Sequence, residues 1–219
     1  MELAPRVDAM LLAAHGPSVL DVGCAGGLEG NRPIVESPQW AHRYVHEAFD
    51  DVWGIDFDAP KIDFLQHHGY PNTRAADAQT FDLGLQFDTV LAGELIEHLP
   101  KPAEFLETAA RHLKPGGEIV ITTPYGQGLA HMIYAWLKYP RTCSNPEHMM
   151  WFCPATLTVL AESVGLQVTR VELIMDYPPR APSRLYRLLR RALVIVAPLL
   201  PLRIKANTML AVLRPPTPG

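Results

Sequence analysis

Two carboxylates and an imidazole stand within five residues at Glu94, Glu97 and His98, and a second imidazole, His148, opens the stretch HMMWF. On a helix each residue turns about 100°, so Glu97 would sit about 60° to one side of Glu94 and His98 about 40° to the other. The three polar side chains are thus predicted to share one face. Carboxylates and imidazoles converging at the carboxyl edge of a sheet suit a divalent cation, with His148 as a fourth ligand. The blander expectation is that the glutamates favour a helix N-terminus electrostatically while the histidines are polar surface groups. Imidazole ligands favour Mn, Fe, Co or Zn, whereas magnesium prefers oxygen.

A second group of residues suits a nucleotide. The run VLDVGCAGG (19–27) ends a strand-like segment in a glycine-rich turn, which lets a ligand approach the backbone closely. GIDFD (54–58) ends the next, placing Asp56 where a carboxylate can hydrogen-bond ribose hydroxyls. Glycine and aspartate also favour ordinary turns, so each residue alone is weak. Asp77 after a third strand and FDTVLAGE (87–94) at a fourth strengthen the series. A nicotinamide-dehydrogenase fingerprint would need G-x-G-x-x-G opening directly into a helix, and Pro33 argues against that here.

With VLDVGCAGG, GIDFD, AADAQTF, FDTVLAGELIEHLP and LKPGGEIVITTP in this order, the chain resembles class I S-adenosylmethionine-dependent methyltransferases over roughly residues 13–213. The resemblance implies a cofactor site of Asp21, Gly23, Cys24, Ala25, Gly27, Asp56, Phe57, Asp77 and Ala78. The loop from Gly23 to Gly27 would pack on the methionine part, Asp56 would bind ribose, Phe57 would lie on adenine, and Asp77 with Ala78 would meet the adenine edge. Ala25 stands where the family often has glycine, which requires that position to take a φ that alanine tolerates. The E-x-x-E-H pattern with a distant histidine is similar to metal-dependent O-methyltransferases of small-RNA ends and of ubiquinone biosynthesis. It implies Mg, or Mn, held by Glu94, Glu97, His98 and His148.

Such chemistry would turn an alcohol into a nucleophile by stabilising its alkoxide, with His148 or Glu97 accepting the proton. A ligand imidazole cannot also be the base through the same nitrogen. Two chelating oxygens suggest a vicinal diol. Through its size and NPEHMMWF segment (145–152) the chain also resembles compact bacterial sugar O-methyltransferases of the methylmannose polysaccharide group. A sugar or oligosaccharide hydroxyl is therefore the expected acceptor, with a quinol or catechol, or an RNA end, as alternatives. Trp151, Trp136 and Tyr125 are candidates for stacking on a sugar face, against a competing role in packing. A non-catalytic cofactor-binding module is the alternative of a different class.

These groups need a scaffold, and the hydropathy pattern supplies one. Strands are predicted at 18–22, 52–56, 72–75, 87–92, 117–123, 166–175 and 207–213, and helices at 102–113, 129–139 and 154–164. Continuous apolar runs such as VLDV and EIVIT suit strands covered on both faces. The expected fold is α/β: a doubly wound, mostly parallel seven-stranded sheet with an antiparallel edge strand, an N-terminal helical segment (1–16) and an insertion (177–205) before the last strand. All 219 residues would form a single domain.

The composition is globular, with 48% hydrophobic and 19% charged residues. Three cysteines, Cys24, Cys143 and Cys153, have no metal-like spacing and suggest no disulfide framework. With no leader visible, a cytoplasmic location is expected. The net charge of −4 hides an asymmetry: residues 1–176 carry −12 and residues 177–219 carry +8. Within the basic part, SRLYRLLRRALVIV (183–196) reads as an amphipathic helix suited to a lid, a homodimer contact or a peripheral membrane contact through 184–202. Nucleic acid ranks last as a partner because the body of the chain is acidic.

Overall fold

The computed structural model describes residues 4–26, 40–137, 145, 147–176, 188 and 201–216. Gly27, Pro33, Cys143, the end of the helix expected to reach residue 139 and nearly all of the 177–205 insertion lie outside them.

Seven strands form one sheet: β1 (Ser18–Val22), β2 (Asp51–Asp56), β3 (Thr73–Ala75), β4 (Phe87–Gly93), β5 (Leu113–Pro124), β6 (Gln167–Ile174) and β7 (Thr208–Arg214). Their order is β3-β2-β1-β4-β5-β7-β6. The first five run parallel, and β7 lies antiparallel to both β5 and β6. The predicted strands are all present. β5 begins four residues early, at Leu113, which pairs with Phe87 ahead of a register shift.

Side-chain alternation along the strands builds two apolar layers. Leu20, Val90, Ile119 and Ile121 pack on one face with Phe105 and Leu106 of α4 (Pro102–Arg111) and Leu157 of α6 (Pro154–Ser163). Val19, Leu91, Val120 and Leu210 pack on the other with Met10 of α1 (Pro5–Ala13) and Val45 of α2 (Ala41–Ala48). Helix α3 (Ala59–His67) puts Ile62 and Leu65 behind Cys24 and Ala25. A further helix, α5 (Leu129–Leu137), follows β5, and a single turn, α7 (Leu202–Lys205), precedes β7. No helix among the described residues is long and apolar enough to cross a membrane.

The segment Glu94–His98 departs from its expected form. It is not an α-helix: only Ile96–His98 forms a 3₁₀ turn, and Glu94 has φ +52°, the sole non-glycine residue with positive φ among those described. The Glu94 amide instead extends the sheet by donating to the Thr122 carbonyl at 2.8 Å. The ladder therefore reaches one residue past β4 before the chain turns, and the face geometry of an α-helix does not apply.

Gly16 shows how tightly the sheet's opposite edge is built. It has φ +75°, and a Cβ there would lie 2.3 Å from Cβ of Asp88, whose carboxylate accepts from the Ser18 amide and pairs with Lys114. Gly16→Ala is expected to cost about 3 kcal/mol, a fall in Tm of roughly 5–10 °C by thermal denaturation. Cofactor affinity should stay unchanged, because this turn lies away from the carboxyl ends of the strands.

Candidate active site

The strand order reverses between β1 and β4, and a cleft of about 1120 Å³ opens at the carboxyl ends there, where such sheets bind ligands. It is bordered by the glycine-rich loop, Asp56, Phe57, Asp77, Ala78, Glu94, His98 and His148.

The loop after β1 is held from below. Gly23, at φ +82°, and Cys24 both donate to the Ile55 carbonyl, at 2.8 and 3.0 Å, and a Cβ on Gly23 would press on Leu95 at 3.3 Å. Ala25 donates to Asp56 Oδ2 at 3.0 Å, and its φ is not positive, so alanine fits the position without strain. Asp56 Oδ1 accepts from the Asp58 amide at 3.0 Å. Burial raises the Asp56 pKa, opposed by these two amides. Cys24 is buried, and desolvation together with Asp21 and Asp56 keeps its thiol protonated. Phe57, by contrast, is 84% exposed at the cleft. Asp77 accepts from the Gln79 amide at 2.9 Å, which fixes the turn carrying Ala78.

Asp21 has a partner that the sequence did not reveal. His42, buried on α2, donates from Nδ1 to Asp21 Oδ2 at 2.9 Å, and the neighbouring Trp40 indole donates to the Cys24 carbonyl at 2.7 Å. Both side chains brace the loop from behind.

On the far side of β4, three of the four expected cation ligands come together. One ligand atom from each of Glu97, His98 and His148 lies within 4.8 Å of the others. Nε2 of His98 and of His148 stand 3.9 and 4.0 Å from Glu97 Oε1, and the two rings meet edge to face with centroids 4.7 Å apart. The His148 segment is tied there by the Met149 amide, which donates to the Glu97 carbonyl at 2.9 Å. Thr123 donates to Glu97 Oε2 at 2.9 Å, but Oε1 is buried with no hydrogen-bond partner among the described residues. Burial and then the Glu94 charge push the Glu97 carboxyl well up. Burial, His98 and His131 push His148 down to about 4.

Glu94 lies outside that trio. Its Oε1 is likewise buried and unpartnered among the described residues, and burial raises its pKa against the pull of Arg6. Arg6 of α1 itself donates to Asp176 Oδ2 at 2.7 Å, and both residues, far apart in sequence, border the cleft. Of the aromatic candidates, Tyr125 is buried in the core, Trp136 is 81% exposed, and Trp151 packs edge to face with His131.

Comparisons with known proteins agree with this architecture. A family model described as Methyltransferase domain matches residues 2–171. A ubiquinone biosynthesis O-methyltransferase of Paracidovorax citrulli is 30% identical over 183 residues, covering 77% of this chain and 71% of the relative. One of the same name from Coxiella burnetii is 26% identical over 179 residues, covering 76% and 70%. Among solved structures, an S-adenosylmethionine-dependent methyltransferase of Mesorhizobium loti superposes with a TM-score of 0.63 at 17% identity, covering 95% of each chain. Another from Archaeoglobus fulgidus gives 0.61 at 19%, covering 95% of this chain and 89% of its own. A loop braced for a nucleotide, a cleft at the switch point and a family match over most of the chain converge: the protein belongs to the methyltransferase-domain family and is an S-adenosylmethionine-dependent methyltransferase.

Proposed function

We propose that the protein is an O-methyltransferase of ortho-dihydroxy aromatic acceptors, catechols or quinol precursors, that works with a divalent cation at Glu97, His98 and His148. The observation that carries the cation is Glu97 Oε1, buried without a partner among the described residues and facing two imidazole nitrogens at 3.9 and 4.0 Å. Those separations are too long for hydrogen bonds and about twice the ~2.0–2.2 Å length of a metal–nitrogen or metal–oxygen bond. Two imidazoles with one carboxylate suit manganese better than magnesium. For the acceptor, the similarity to ubiquinone biosynthesis O-methyltransferases favours the quinol alternative over the sugar expected from sequence.

S-adenosylmethionine supplies a methyl group on a sulfonium, and the cation supplies positive charge beside the acceptor oxygens. The chain's own residues do the rest. Asp56 and the Gly23–Gly26 turn fix the donor, Phe57 offers an exposed face to adenine, and the Arg6–Asp176 bridge helps exclude water. Glu97 and His148, the residues expected to move a proton, are drawn into the cation set.

The test is methyl transfer from S-adenosylmethionine to a panel of catechols and sugars, with EDTA and then with added Mn or Mg. Catechol turnover that EDTA stops and Mn restores supports the proposal. Turnover indifferent to chelation sinks the cation, and sugar-only turnover sinks the acceptor. Phe57→Ala should weaken S-adenosylhomocysteine binding about tenfold by calorimetry, the loss of one aromatic face. Its ligand-free Tm should stay within about 1 °C of wild type, because so exposed a ring holds little of the core.

A further inference from the structure

The cleft holds one more imidazole with an unused lone pair. His131, on α5, borders the same cavity as His98 and His148, and its Nδ1 lies 3.0 Å from the Tyr125 carbonyl. A carbonyl only accepts, so the ring proton sits on Nδ1 and Nε2 carries the lone pair. The ring is held in place: Trp151 meets it edge to face at 5.0 Å, and the Gly128 amide donates to the same Tyr125 carbonyl at 3.0 Å. His112 shows the contrast of a structural histidine, donating from Nδ1 to the Thr108 carbonyl and accepting at Nε2 from the Leu83 amide. No such partner for His131 Nε2 occurs among the described residues.

We propose that His131 is the general base of methyl transfer, accepting the acceptor hydroxyl's proton at Nε2. This rests on the O-methylation proposed above. The acceptor O–H bond breaks as the N–H bond forms, the oxygen's electron pair forms the bond to the methyl carbon, and the carbon–sulfur pair stays on sulfur as the neutral thioether. The imidazolium, steadied by the Tyr125 carbonyl, then gives its proton to water. Burial lowers the His131 pKa, so the ring is neutral and able to accept at neutral pH. Its charge when protonated would in turn bear on His148, which stands beside His98 and Glu97.

The experiment uses the full chain with S-adenosylmethionine and Mn, comparing catechol with 4-nitrocatechol, whose hydroxyl is already largely ionised near neutrality. His131→Asn keeps a donor for Tyr125 and removes the base. It should lower kcat on catechol about 100-fold, leave KM for S-adenosylmethionine within about twofold and spare most turnover of 4-nitrocatechol. Added imidazole should rescue His131→Ala on catechol. Equal losses on both acceptors without rescue would make His131 a structural residue and overturn the proposal. If wild type methylates neither catechol, the acceptor class is wrong, and ¹⁵N chemical shifts then judge the base. A ring protonated at Nε2, or one whose Nε2 carries the shift of a hydrogen-bonded acceptor as that of His112 should, overturns it, and an Nδ1-protonated ring with an open Nε2 upholds it.

Discussion

Glu97→Gln is expected to reduce methyl transfer about 1000-fold or more while S-adenosylhomocysteine binds within about twofold of wild type. The carboxylate is the atom group shared between the two histidines, and losing one anionic ligand removes several kcal/mol of charge stabilisation, which is that factor in rate. The donor loop lies on the other side of β4 and keeps its own supports. Activity within tenfold of wild type, with Mn still bound by calorimetry, would dissolve the cation site.

The same residue carries a pH signature in the cation-free protein. Burial raises the folded pKa of both Glu97 and Glu94 above the ordinary carboxylate value. Between those two values the folded state holds more protons than the unfolded state, so stability falls as pH rises. The depressed His148 works in the opposite direction below about pH 6.5, so thermal melts in EDTA should lose about 5 °C from about pH 6.5 to pH 8. Mn should restore the loss, since it binds the folded form alone, and Glu97→Gln should flatten the slope. A stability that climbs over this range would mean the carboxyls are solvated.

Asp56→Ala is expected to weaken S-adenosylhomocysteine binding about 100-fold by calorimetry. Its two oxygens accept from the Ala25 and Asp58 amides at 3.0 Å each, so one carboxylate sets the loop after β1 and the turn presenting Phe57. Hydrogen bonds to a charged group are worth about 1.5–3 kcal/mol each, and their loss loosens both walls of the donor site along with the ribose contact assigned to Asp56. Undiminished affinity would reduce Asp56 to a turn former.

The sheet was legible because its strands are buried on both faces and so spell unbroken apolar runs, as SVLDV does with all five residues buried. Helices α2 and α3 left fainter signals: AHRYVHEA buries only His42 and Val45, and APKIDFLQH only Ile62 and Leu65. The LKPGG segment reads locally as a helix stop, yet Leu113 already pairs with Phe87, because a parallel neighbour overrides the turn preference. At Glu94–His98 the residue types were legible and the conformation was not, since hydrogen bonding to Thr122 decides where the strand ends. The His42–Asp21 pair spans 21 residues and the Arg6–Asp176 bridge 170, distances over which local patterns carry no information. His131 was invisible for a related reason: its value depends on which carbonyl fixes its tautomer.

Strand β7 is synthesised after both of its neighbours yet sits between them. Without it, β5 and β6 would each present a bare row of amides and carbonyls. Such rows invite pairing with other molecules. Shortening the chain by its last dozen residues should therefore yield an insoluble polypeptide that engages chaperones, rather than a trimmed enzyme.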